Sequence, residues 1–309
     1  MKNINLISIH KWMHRNAREL ELARWKYHFE NGDKMEVVNA LMYFQNTDGG
    51  FGNAVDPDNW NQNSVPYGTF FVLEILKEID SCEFNHPIYI GIKKYLEVTG
   101  NSPEGWIFTI PSNQEFPHAA YYNYDQEYNK VESKGIIISF CSFILEYNKE
   151  SSIYDEMIRL ADEMVQGIYE ENQGDMGPSG YMTLFHALKK IDLPNYDYSK
   201  LEKRLIELVN RSIQRDPEQW LSYGYRPSDY IKSKDSMFYK GNEDIIEKEL
   251  DFLVDTLPQN DVWSISWSWF ENKDKYPKES SISENWCKAY KAIDKVIFLK
   301  NFGRIDEVL

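Results

Sequence analysis

The segment Phe116-Pro117-His118-Ala119-Ala120-Tyr121-Tyr122-Asn123-Tyr124-Asp125 joins a proline-fixed loop, an imidazole, adjacent aromatic rings and a carboxylate. Imidazole titrates near neutrality, so His118 beside Asp56, Asp58 or Asp125 has the parts of an acid/base pair. The competing role is structural: His118 bonds loop backbone while Tyr121 and Tyr122 cover the mouth of a cleft. Upstream, Asp56-Pro57-Asp58-Asn59 places two carboxylates two residues apart. Their competing role is that of solvated acids in an Asx/Pro turn. The expected catalytic set is therefore Asp56, Asp58 and His118. Trp60, Trp106, Tyr121, Tyr122, Asp125, Trp263 and Trp267 are expected to line a ligand.

Other chemical residues are expected to pack. His10 and His14 stand one helical turn apart, but no acid completes an H-E-x-x-H pattern around them, so they are assigned to packing or surface. Arg18 offers the N-terminal helix a fixed positive charge, and a salt bridge to a nearby glutamate is its expected use. Cys141, inside the apolar run Gly135 to Phe140, is expected as a small buried thiol. No metal site and no cofactor is expected.

Helical periodicity must position these residues. Ile9, Trp12, Met13, Leu20, Ala23 and Tyr27 recur at three- and four-residue steps, predicting one long N-terminal helix that ends near Asn31-Gly32. A helix over 35–45 follows, then an almost wholly apolar one from Tyr67 to Ile79, which must lie inside something. Further helices are predicted over 87–98, 133–147, 152–170, 178–191, 199–215, 243–257 and 284–301. Ser199-x-x-Glu202 and Ser281-x-x-Glu284 read as capping boxes opening two of them. Residues 221–241 lack clear periodicity. Trp263 to Trp269 alternates as a strand does and is expected as a loop or short hairpin arm.

Connections from an amphipathic helix to its apolar partner are long: 49–66, 104–132, 171–181, 216–241 and 260–284. Return connections near 80–86, 148–151 and 192–198 are short. An inner ring of apolar helices inside an outer amphipathic ring would bring all the long segments to one end. Those segments carry six of the nine tryptophans, which makes that end the expected site. Inner-helix N-termini aimed there would favour an anionic group.

The turn Gln45-Asn46-Thr47-Asp48-Gly49-Gly50-Phe51-Gly52 resembles the Q-x-x-D/P-G-G-F/W-G repeat of the squalene cyclase and protein prenyltransferase superfamily. Pro103 to Trp106 is similar to a degenerate copy, and Asp216 to Trp220 and Gln259 to Trp263 to weaker ones. The resemblance implies an all-α fold, an α/α toroid of five to six hairpins, in one domain over residues 1–309. It implies a structural role for the turn itself. The family's acidic D-x-D-D sequence is only partly matched by Asp56-Pro57-Asp58-Asn59, where the last acid is asparagine. The prenyltransferase zinc set is mimicked by Asp80-Ser81-Cys82 with His86, but on a short return connection, at the opposite end from the long loops.

Composition narrows the partners. A net charge of −15 opposes nucleic acid and anionic membranes. Three cysteines without a CxxC, no apolar leader in Met1 to Leu20 and no run of about 18 apolar residues point to a cytoplasmic protein without a membrane span. Aromatic walls suit isoprenoid chains and carbocations, through apolar contact and cation–π attraction, and they equally suit stacked sugars. The expected partner is a small, largely apolar or cyclic ligand. An oligosaccharide bound by a toroid-type carbohydrate-active enzyme is the first alternative, and a binding module without chemistry the second.

Overall fold

The computed structural model describes residues 2–81, 83–102, 105–193 and 195–306. These form α1 (Ile7–Asn16), α2 (Glu19–Phe29), α3 (Lys34–Met42), α4 (Pro66–Glu78), α5 (Pro87–Gly100), α6 (Gln126–Tyr147) and α7 (Tyr154–Gly167). They continue as α8 (Gly177–Ile191), α9 (Tyr198–Ser212), α10 (Pro227–Tyr230), α11 (Glu243–Thr256), α12 (Asn272–Lys275) and α13 (Pro277–Asn301). The fold is all-α: among the described residues there is no strand, only isolated bridges. No described helix is long and apolar enough to cross a membrane. The chain divides into two compact units, Met1–Tyr43 with Asn210–Leu309, and Phe44–Val209.

In the first unit α13 packs against α1, α2 and α12. Ile4 and Ile305 form a parallel bridge within it. Arg304 holds that junction: it is 1% exposed, its Nε donates to the Lys2 carbonyl at 2.8 Å, and its terminal nitrogens reach Glu247 and Asp251. The expected single N-terminal helix is broken at Ala17 and Arg18, both extended (ψ 145° and 168°). The break turns Arg18 onto Glu21, with Nε to Oε2 at 2.6 Å, so the salt-bridge expectation for Arg18 holds. Ser281 and Glu284 do not open α13, which begins seven residues before Glu284 at Pro277. The hydroxyls of Ser280 and Ser281 instead bond back to the Pro277 carbonyl. Trp263 to Trp269 is irregular backbone.

In the second unit α6 is the most enclosed helix, buried at nearly every position from Ser133 to Leu145, and α4, α7 and α8 pack on it. Gly135 permits the close approach of α8: a Cβ there would overlap the Met176 side chain and lie 2.7 Å from its backbone. Ser199 is not the cap of α9. Asp197 accepts from the Lys200 N–H at 3.0 Å instead. Asp125 caps α6, accepting from the N–H groups of Glu127 and Tyr128 at 2.8 and 3.0 Å.

The Gln45–Gly52 turn pins the loop that follows it. Gln45 and Phe51 form an antiparallel bridge, and Gln45 Nε2 donates to the carbonyls of Gly49 and Ile88, each at 3.0 Å. Asp48 Oδ1 accepts from the Gly50 N–H and from the Ser64 hydroxyl. Phe51 is fully buried, and its carbonyl receives the Val65 N–H, which sets the entry to α4. Every polar group of the motif named here has a structural partner.

Candidate functional site

Two of the long connections of the second unit, the segments 44–65 and 105–125, the latter carrying the 3-10 turns at Pro111–Glu115 and Ala120–Tyr122, meet through backbone. Asn59 and His118 form an antiparallel bridge, in which the Trp60 N–H donates to Pro117 and the Ala119 N–H to Asp58, each at 2.9 Å. This pairing brings the two acids and the two tyrosines of the expected site together. The Tyr121 hydroxyl donates to Asp58 Oδ2 at 2.5 Å, and the Tyr122 hydroxyl donates to Asp56 Oδ2. Asp56 and Asp58 are 8% and 3% exposed, so they are not the solvated turn acids that their sequence context allows. Burial, with the Asp56 carboxylate beside it, holds the Tyr122 phenol well above the ordinary tyrosine range. It remains a donor at any physiological pH.

An aromatic cluster adjoins the pairs. Tyr67 lies 5.2 Å from Phe108, 5.6 Å from Phe70 and 5.7 Å from Tyr122 between ring centroids, and Tyr121 lies 5.0 Å from Tyr122. Just before Asp56, Asn53 and Ala54 both hold positive φ, 56° and 60°. For alanine that conformation costs on the order of 1 kcal/mol. Such strain collects where surrounding contacts over-determine the backbone.

A buried amide lattice fixes both loops. Asn61 Nδ2 donates to Asn113 Oδ1 and to the Ser112 hydroxyl at 2.9 Å, Asn59 Nδ2 donates to Asn113 Oδ1 at 3.2 Å, and Asn113 Nδ2 donates to the Tyr122 carbonyl. Asn61 and Asn113 are fully buried. Their amides are committed to each other and to the loop, which leaves little for a sugar hydroxyl.

His118 is also fully buried. Its Nδ1 faces the Phe116 carbonyl at 2.7 Å and its Nε2 faces the Asn123 side chain at 2.8 Å. Each nitrogen thus has a partner within its own loop. Trp60 is half-buried and donates to the Pro57 carbonyl at 3.0 Å. Trp106 is buried edge-on against Phe140, with its N–H on Thr99. Asp125 is exposed at the start of α6. Trp263 and Trp267 belong to the first unit, where Trp263 is 4% exposed and donates to the Leu253 carbonyl, while Trp267 is half-buried. Two patterns noted in the sequence, Asp80-Ser81-Cys82 and Pro103 to Trp106, include Cys82, Pro103 and Glu104, which lie outside the described residues.

The first unit holds two titratable groups absent from the sequence-based set, the buried Glu249 and the half-buried Lys295. Glu249 on α11 is fully buried, and burial pushes its carboxyl up to about 7 although Ser228 donates to it through N–H and hydroxyl at 2.8 and 2.6 Å. Lys295 on α13 has its ammonium 5.4 Å from the centroid of the Trp263 ring. Burial, reinforced by Arg226 and Lys291, pulls it down to about 7. The legible signal was Lys288, Lys291 and Lys295 at steps of three and four, which share one face of α13. A depressed lysine pKa means that the unfolded chain binds the extra proton between about 7 and 10.5, so stability rises with pH across that window. For Glu249 the sign is opposite: the folded chain holds the extra proton between 4.5 and about 7, and stability falls as pH rises through that window. Lys295→Met is therefore expected to stabilise the protein at pH 7 and below by about 2 kcal/mol. It should also remove the alkaline rise. Urea midpoints from pH 6 to 10 check this; a destabilised variant, or an unchanged slope, contradicts it.

Comparison of the chain with protein families, curated proteins and solved structures returns no match. The site is accordingly defined by its own geometry.

Proposed function

We propose that the chain is a divergent, enzyme-like member of the squalene cyclase and prenyltransferase superfamily, an α/α toroid. In this reading it binds a small, largely apolar or cyclic ligand beside Asp56 and Asp58. The observation that carries this is the pair of adjacent buried carboxylates, each receiving a tyrosine hydroxyl and set against the Tyr67–Phe108–Tyr122 cluster. Aromatic faces and carboxylates in a low-dielectric setting favour a ligand that is apolar overall and carries or develops positive charge. Asp58 stands at the central acid of the partly matched D-x-D-D sequence. Asn59, at the last position, is taken up by the amide lattice. For the toroid, the support is the alternation of helices along the chain.

A carbohydrate-active enzyme is the weaker reading. Asn59 and Asn61, in the loop where sugar hydroxyls would need polar partners, are buried and bonded to Asn113. Thermal shift and native mass spectrometry with isoprenoid diphosphates and oligosaccharides in parallel test the proposal. Stabilisation by isoprenoids, lost in Asp58→Asn, is the expected result. Stabilisation by oligosaccharides alone contradicts it.

A further inference from the structure

The local sequence around His10 and His14 supplies no acid to complete a metal motif, which left packing or surface roles as the expectation. The acid comes from beyond the helix break. Glu30, the residue that ends α2, lies between the two imidazoles: His10 Nδ1 is 2.7 Å from its Oε1, and His14 Nε2 is 3.0 and 3.1 Å from its two oxygens. The ring centroids stand 4.4 Å apart, and one ligand atom from each residue lies within 4.8 Å of the others. All three residues belong to the first unit.

We infer that His10, His14 and Glu30 form a three-ligand site for a divalent transition metal of the zinc class. Two imidazoles and one carboxylate are the donor set such ions prefer over the all-oxygen set of calcium or magnesium. Bonds of about 2 Å to a shared ion place donors roughly 3 Å apart, close to the spacing already present.

Two further features fit a ligand site better than a chance contact. Trp25 Nε1 donates to Glu30 Oε1 at 2.5 Å, the outer-shell hydrogen bond that orients a ligating carboxylate. The imidazole side chains are 35% and 36% exposed, which leaves coordination positions facing solvent. A site with three protein ligands and open positions can hold water or a small anion on the metal, unlike a closed structural site.

The test is titration of metal-free full-length protein with Co2+, followed by its visible absorption, and with Zn2+ in competition. One equivalent should bind, with Zn2+ displacing Co2+. Affinity should fall at least about 100-fold in His10→Ala and His14→Ala, and about 10-fold in Trp25→Phe, in line with the loss of an outer-shell bond. Glu30→Gln keeps the side-chain shape and an acceptor for Trp25, so it provides a loss-of-ligand variant if a histidine variant fails to fold. Circular dichroism checks each variant. Failure of the wild type to bind one equivalent, or equally tight binding by the folded variants, overturns the inference.

Discussion

Gly49→Ala is expected to be among the most damaging single substitutions in the second unit. Gly49 has φ 95°, and a Cβ there would overlap the Gly91 carbonyl oxygen and lie 2.8 Å from Gly91 Cα. The obstacle is backbone of α5, so it cannot be relieved by a rotamer change. Moving α5 would also disturb the Gln45 bond to the Ile88 carbonyl and the Tyr95 ring that covers Gly50. Backbone strain of about 1 kcal/mol adds to the overlap, for a total on the order of 4 kcal/mol. For a unit of this size that lowers the melting temperature by roughly 10 °C. Gly105→Ala is the control, because Gly105 also has positive φ, 62°, with nothing within 4 Å of its virtual Cβ. It should lose only the strain. Equal losses in the two variants, read by thermal melts, would mean that the turn is not held against α5 as described.

Arg18→Met is expected to cost about 3–5 kcal/mol in the first unit. Glu21 is fully buried, and Arg18 grips it with Nε to Oε2 at 2.6 Å and Nη2 to Oε1 at 2.9 Å. The same guanidinium lies 5.0 Å from the centroid of the Trp286 ring on α13. Removing it leaves a carboxylate in the interior without its bidentate partner, which costs far more than the pair contributes over apolar residues of similar size. Arg18→Met with Glu21→Leu should therefore recover most of the loss. High salt should change neither result by much, because the pair is shielded from solvent ions. Urea denaturation gives both numbers. A single-variant cost below about 1 kcal/mol contradicts the assignment.

The sequence foretold the helices wherever tertiary contacts agree with local pattern. Pro66 and Pro87 stand at helix starts, and the apolar spacing within α4, α5 and α11 matches their buried faces, whereas the start of α13 at Pro277 was not foretold. The break at Ala17 was invisible because the three- and four-residue pattern continues through it, and its reason, Arg18 closing on Glu21, is a single side-chain pair. The serine–glutamate patterns at Ser199 and Ser281 misled because a serine inside a helix can bond back to a carbonyl as readily as it caps an end.

The site was legible in part. Asp56, Asp58, Tyr121 and Tyr122 were picked by residue type, and the backbone pairing of their loops brings them together. His118 was picked for the same reason, yet each of its nitrogens faces a neighbour in its own loop. The burial of Asn59 and Asn61 was not legible, because polarity in a sequence does not reveal whether amides satisfy one another in the interior. Glu30 escaped notice because it meets His10 and His14 only after the chain turns back between α1 and α2.

The central claim is that a ligand binds at the Asp56–Tyr122 and Asp58–Tyr121 pairs. Amide hydrogen exchange, with and without the isoprenoid that most raises the melting temperature, tests it most directly. The account predicts slower exchange confined to residues 53–63 and 116–125, abolished in Asp58→Asn. Slowed exchange elsewhere, with both of those segments unchanged, would contradict it.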